Sequence, residues 1–205
     1  MAKIKLTKGE LKRQRDALRQ YERYLPTLQL KKQQLQIEIL HQLIILEDKK
    51  RVEKAKRIAI EAWVGLLADK EIDLHKWLVP KEVVGKARNI AGVDLLVFDH
   101  IVFNPADYDL FTTPFWVDAA LEALRLLVSM RREIAVIEKG IVILRQELRI
   151  TTQRVNLFEK VKIPQAQEAI RLIKIYIGDQ MTNAVGRSKI AKRKIEEGIL
   201  EGVAA

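Results

Sequence analysis

The chain has no cysteine, which excludes disulfides, thiolate nucleophiles and cysteine-type zinc sites, and with them a small stapled secreted fold. This absence is compatible with the cytoplasm. Five prolines and nine glycines among 205 residues leave few interruptions. No apolar run reaches the roughly 18 residues needed to span a bilayer. Met1-Ala2-Lys3-Ile4-Lys5 leads into no apolar stretch, so no signal peptide is expected. What the chain has instead is charge: 31% of its residues, against about 25% in an average globular chain. Few breakers combined with abundant Lys, Arg, Glu, Gln and Leu favour long helices.

The net charge of +10 is unevenly spread. Residues 1–35 hold ten Lys/Arg against three Asp/Glu, and residues 121–205 hold sixteen against ten. Residues 71–120 reverse the balance, four against eight. Both ends are therefore basic and the middle is acidic. Basic ends suit nucleic acid, an anionic membrane or an acidic protein surface, or simply a solvated helix face.

From Leu11, positions at alternating steps of three and four read Leu11, Gln14, Leu18, Tyr21, Leu25, Leu28, Lys32, Leu35, Ile39. Seven of these nine are apolar, the narrow stripe of a coiled-coil seam. Past Leu43 the stripe drifts through Ile44, Ile45, Leu46, Val52, Ala55 and Ala59. Thr7 and Glu10 have capping-box spacing for the helix start. One helix is predicted over 7–68, about 90 Å long at ~1.5 Å per residue. Pro26, inside it, should kink it or remove a hydrogen bond.

Residues 69–115 differ in kind. Pro80, Gly85, Gly92, Pro105 and Pro114 fall here, with Trp77, Phe98, Phe103, Tyr108, Phe111, Phe115 and Trp116 as an expected head core. Val93 to Phe103 is β-branched and aromatic, bounded by Gly92 and Asn104-Pro105, and reads as a strand that could pair with Arg88–Ala91 in a small hairpin. The seam then restarts at Ile134, Ile137, Ile141, Leu144, Leu148, Thr151, Val155, Phe158 and Lys162. It resumes as Ala166, Ile170, Ile173, Ile177, Met181 and Ala184. A second helix is predicted over 116–197 with a kink near Pro164, and a frayed tail over 198–205. Gly140, Gly178 and Gly186 inside it allow close helix approach or local bending, or are merely tolerated. Two seams in one chain cover each other most simply by pairing antiparallel. The expected fold is thus mainly α: a long antiparallel two-helix coiled coil with a small α/β head in the middle. Its two basic termini should lie together at the end away from the head.

No catalytic constellation emerges. His41, His75 and His100 share no metal-ligand spacing, and Val185-Gly186-Arg187-Ser188-Lys189 lacks the phosphate-loop pattern. The head aromatics interleave with acids, unlike a nucleic-acid stacking platform. No catalytic, cofactor or metal site is therefore expected, and scaffolding or mechanical work is.

Three stretches resemble the D-subunit family of V-type ATP synthases, the central rotor shafts. They are Leu6-Thr7-Lys8-Gly9-Glu10-Leu11-Lys12 with Leu28-Gln29-Leu30-Lys31-Lys32-Gln33-Gln34-Leu35; Asn89-Ile90-Ala91-Gly92-Val93; and Arg154-Val155-Asn156-Leu157-Phe158-Glu159 followed by Ile163-Pro164. The resemblance spans almost the whole chain. It implies a non-catalytic subunit whose coiled coil fills a ring of catalytic A and B subunits, its termini inside. The head would lie toward the membrane sector, against a funnel-shaped central-stalk subunit, and a small F subunit would clasp the side. Rotation of the shaft would couple ATP synthesis or hydrolysis to ion translocation. No cofactor and no nucleic acid are implied, and contact with the membrane comes only through the complex, at its cytoplasmic side. Arg13, Arg15, Arg19, Arg23, Arg187, Lys189, Lys192, Arg193 and Lys194 would then face the ring, and Asn89 to Val93 a head partner. The alternative is a basic coiled-coil scaffold or nucleic-acid-binding protein, which should retain DNA with a steep salt dependence.

Overall fold

A computed structural model describes residues 5–68, 74–109 and 113–203; for residues 66, 68 and 198–203 it describes the backbone alone. Phe111 of the expected head core lies outside the described residues, as do the side chains of the expected tail and its last two residues. The elements run α1 (Lys8–Glu61), a 3-10 turn (Val64–Ala68), α2 (His75–Leu78), β1 (Pro80–Ile90), β2 (Val93–Phe103), α3 (Trp116–Leu157), a π-turn (Phe158–Lys162) and α4 (Ile163–Val203). The expected mainly α fold with a small central sheet is what forms. Contacts divide the chain into two units, one of Met1–Gln29 with Thr152–Ala205 and one of Leu30–Thr151.

α1 starts where the capping residues stand. The Glu10 N–H donates to Thr7 Oγ1 at 3.3 Å, closing a terminal donor. The reciprocal arm of a capping box is not made: the Thr7 N–H donates to the Lys5 carbonyl at 3.0 Å, and the Glu10 carboxylate accepts from Gln14 Nε2 at 2.7 Å. Pro26 is carried inside α1 without ending it. It has no N–H for the Glu22 carbonyl one turn back, while the Thr27 hydroxyl donates to the Tyr24 carbonyl at 2.8 Å.

In the second unit α1 and α3 pair antiparallel, and four cross-helix ion pairs record the register. They join Lys31 to Glu147 (2.9 Å), Lys49 to Glu133 (2.8 Å), Lys50 to Glu138 (2.6 Å) and Glu53 to Arg131 (3.0 Å). From Lys31 to Glu53 along α1 the partners run back from Glu147 to Arg131 along α3. Leu35 and Leu144 meet fully buried, with Ile39 and Leu95 beside them. Each such side chain contributes about 1.5–3 kcal/mol of gross burial. The α1 seam from Leu11 to Ile39 is buried or half-buried at all nine positions, as is the second seam from Ile134 to Lys162. Past Leu43 the inward face is Ile45, Leu46, Lys49, Glu53 and Ile60. Ile44, Val52, Ala55 and Ala59, expected in the stripe, are exposed. The aliphatic stems of Lys49 and Glu53 serve the seam because their heads are tied across to α3.

β1 and β2 form a two-stranded antiparallel sheet, each arm longer than the four-residue first arm expected. Its loop is Ala91-Gly92, with φ of 51° and 76°. Two positive φ values match the right-handed twist of the strands in a two-residue hairpin. Asn89 locks the loop: its Oδ1 accepts the Gly92 N–H at 3.1 Å and its Nδ2 donates to Asp94 at 2.6 Å. Gly85 sits at a register shift, and a Cβ there would lie 2.8 Å from Leu96 Cδ1. The hairpin tip folds back on the helices, placing Ile90, Ala91 and Val93 against the Leu35–Leu144 cluster.

The base of the head is a second small core of Leu74, Trp77, Val117 and Leu121. Arg125 closes it, donating to the carbonyls of Trp77 (3.3 Å) and Asn104 (2.7 Å) and lying 5.3 Å from the Phe103 ring centre. Trp77 and Tyr108 rings meet at 5.1 Å, and Tyr108 donates to Asp118. Phe115, expected in the core, is 99% exposed. It lies at the mouth of α3 beside buried Val117, on the side turned from that core.

The first unit is built differently. Tyr21 stacks on Phe158 with ring centres 5.4 Å apart, and Ala166, Ala169, Ile170 and Ile173 supply its buried residues together with Val155. Where a kink at Pro164 is predicted, a π-turn stands directly upstream, with the Ile163 N–H donating to the Phe158 carbonyl five residues back. The cause is in the seam. Its steps alternate three and four up to Lys162, then a step of four to Ala166 falls where three is due. One extra residue must be absorbed, and one wide turn absorbs it. Met181 and Ala184, expected to continue the seam, are exposed, because the inward face ends at Ile177. A Cβ added at Gly140, Gly178 or Gly186 would meet nothing within 4 Å, so none of the three permits a close approach.

Candidate functional site

The residues singled out by sequence fall into four groups. Arg13, Arg15, Arg19 and Arg23 are all exposed on α1, apart from contacts made by their own helix. Of these, Arg13 reaches Glu10 at 3.9 Å. Arg187, Lys189, Lys192, Arg193 and Lys194 are all exposed on α4, where Lys192 meets Glu196 at 3.6 Å. From Gly178 to Glu197 every residue except Gly186 is exposed, so this end of α4 carries its cations on a helix with no covering partner among the described residues. Both basic groups belong to the first unit.

The segment Asn89 to Val93 is committed inward. Asn89 is occupied by the loop, and Ile90, Ala91 and Val93 pack on the helices. Asn89 and Gly92 are exposed, and Lys31 Nζ lies 3.9 Å from where a Gly92 Cβ would be. Of the third motif, Val155 is buried and Ile163 half-buried, whereas Arg154, Asn156 and Pro164 face solvent on either side of the π-turn.

Two surfaces lie beyond what the sequence reading picks out. Residues 33–46 of α1 carry a single charge, Glu38, and its carboxylate is held by Gln42 at 2.8 Å and His41 at 3.8 Å. On this charge-poor stretch Ile37, Leu40 and Ile44 are each more than 60% exposed, with Leu30 one turn before. Gln33, Gln36, Ile37, Ile39, Leu40 and Leu148 line a shallow groove there. The signal is a second heptad, Leu30, Ile37, Ile44 and Ile58 at multiples of seven, hidden beneath the stronger seam. The other surface is Phe115 at the head base.

The electrostatics are those of surface pairs. Hydrogen bonds from Lys86 and then His100 hold the Asp99 carboxyl below its usual range, and Arg171 does the same for Glu168. The hydrogen bond to Asp118 pushes the Tyr108 phenol up. His41, His75 and His100 are not brought together: His41 answers to Glu38 and His100 to Asp99. An arrangement of paired helices, exposed cations and an uncharged apolar strip offers contact surfaces for other proteins.

Residues 10–193 match the family described as the ATP synthase D subunit. The chain belongs to that family. The D subunit of the V-type ATP synthase of Borreliella burgdorferi is 46% identical over 200 residues, covering 95% of this chain and 96% of that one. Those of Chlamydia pneumoniae and Chlamydia abortus are 33% and 34% identical, covering 94% and 96% of this chain and 93% and 95% of theirs. The family's span takes in both helices of the pair, the hairpin and the π-turn. A stand-alone scaffold or nucleic-acid binder is not favoured. No helix among the described residues is long and apolar enough to cross a membrane.

Proposed function

We infer that this chain is the central-stalk subunit of a V-type ATP synthase or ATPase, a non-catalytic shaft that couples the nucleotide sites of a catalytic ring to ion translocation by rotation. The observation that carries the reading is the uncovered basic end of α4, continuing a helix pair whose inward face stops at Ile177. A shaft works by differential contact: each of its sides stabilises a different state of the surrounding sites, and turning it changes which state is favoured.

The partners divide among the surfaces. The catalytic A and B subunits receive the first unit, and Arg13, Arg15, Arg19, Arg23 and the five C-terminal cations meet acidic groups on the ring lining. Exposed pairs worth about 0–1 kcal/mol suit an interface that must release at every step. The small F subunit takes the uncharged strip at Leu30, Ile37, Leu40 and Ile44, since charge depletion marks the centre of a protein interface. The funnel-shaped central-stalk partner takes the head base around Phe115. The complex holds the chain at the membrane surface on the cytoplasmic side.

Reconstitution tests this. Tagged chain should recover A, B and F subunits, and ring ATPase should drive rotation of a bead fixed to the head. Failure to recover A and B at any ionic strength would sink the shaft reading. Replacing Arg187, Lys189, Lys192, Arg193 and Lys194 by Gln should weaken ring assembly more at low salt than at high. Ile37→Glu with Ile44→Glu should release the F subunit and spare the ring.

A further inference from the structure

The π-turn has a property that pairing alone does not require. A helix resists twist because each carbonyl is tied to the amide four residues on. At Phe158–Lys162 that ladder is widened, and Pro164 immediately after has no N–H to give. Side-chain packing does not compensate. From Asn156 to Gln165 no residue is buried, although Val155 and Ala166 on either side are. On the facing helix, no described residue before Leu35 is fully buried, and Pro26 interrupts the ladder little more than one turn from Tyr21. Among the described residues no cross-helix ion pair serves this unit, and the Tyr21–Phe158 stack is its one ring contact. Backbone, packing and charge therefore thin out at one level.

We propose that residues 156–165, with the Tyr21–Phe158 stack as pivot, form a torsionally compliant joint within the first unit. Its use in a rotating shaft rests on the central-stalk reading: a soft segment there stores twist between discrete steps of the ring. The aromatic stack holds the helices together at the joint, where no buried aliphatic side chain interlocks them. The one-residue excess is what keeps the joint open. Deleting Lys160 restores unbroken steps of three and four through Val155, Phe158, Ile163, Ala166, Ile170, Ile173 and Ile177, with Ile163 replacing Lys162 at the seam.

Hydrogen–deuterium exchange on the full-length chain reads the joint directly. Amides of 156–165 should exchange about tenfold or more faster than those of 144–151 on one side and 166–173 on the other. Uniform protection from 144 to 173, or protection that falls steadily toward the C-terminus with no local minimum, would overturn the proposal. Deleting Lys160 should raise protection of the segment to that of its flanks, and Pro164→Ala should raise it in part. Should the deletion fail to fold, Pro164→Ala and the native profile still decide. In the reconstituted complex, angular fluctuations of a bead on the head should narrow for the stiffened variant. Unchanged fluctuations alongside restored protection would remove the twist role and leave the central-stalk reading intact, which stands or falls on recovery of A and B.

Discussion

The two units solve helix pairing with different means. In Leu30–Thr151, fully buried Leu35 and Leu144 interlock, four ion pairs cross between helices, and the hairpin tip caps the seam. In the unit of Met1–Gln29 with Thr152–Ala205, the α1 seam is only half-buried, its partner supplies small Ala166 and Ala169 before fully buried Ile173, and an aromatic stack stands in place of ion pairs. The same heptad logic thus yields a fixed pair in one unit and a looser one in the other. What separates them is cross-linking and the depth of the α1 side chains, because the hydrophobic period is nearly the same.

Truncation should separate the units most. Leu35→Ala or Leu144→Ala should cost about 2–5 kcal/mol by chemical denaturation of the full chain, whereas half-buried Leu18→Ala should cost less than half of that. Equal losses would erase the distinction. Gly85→Val should cost about 1–3 kcal/mol, because its Cβ would meet Leu96 at 2.8 Å, and amide exchange should locate the damage in the hairpin. Reversing one rung by Lys49→Glu with Glu133→Lys should restore most of what either single change removes, about 0–1 kcal/mol and less at high salt. A double mutant no better than the singles would remove the rung from the fixed pair's account. The smallest effect is at Asp99. Its folded pKa lies below the ordinary value of 3.8, so its contribution is present above that value and lost as pH falls through the folded one. Asp99→Asn should flatten that acid limb without moving stability of the first unit.

Much of this is legible in the sequence because a seam is periodic. All nine predicted positions on each seam face inward, and β2 begins and ends where Gly92 and Asn104-Pro105 bound it. The rest escapes for local reasons. β1 is hidden because Pro80, Gly85 and the charged Lys81, Glu82 and Lys86 read as a loop, yet a hairpin with open edges tolerates them. Ala91 at positive φ carries no sequence signal, since the neighbouring Gly92 and Asn89 impose the loop. The π-turn is written in the step from Lys162 to Ala166, but the adjacent Pro164 offers a simpler kink as its explanation. The strip at Ile37, Leu40 and Ile44 is masked by a stronger seam on the same helix, and exposure alone distinguishes the two.

The docked hairpin tip has a kinetic side. Leu35 and Leu144 are over a hundred residues apart, and bringing such distant points together is slow and entropically costly. Leu95 sits between them in sequence and beside both in space. A hairpin forms in microseconds from local contacts, and once formed it offers α1 and α3 a common landing point about midway along the chain. One long search becomes two shorter ones. Leu95→Ala is accordingly expected to slow folding rather than chiefly speed unfolding, which would make a two-stranded sheet the place where the longest helices begin to find each other.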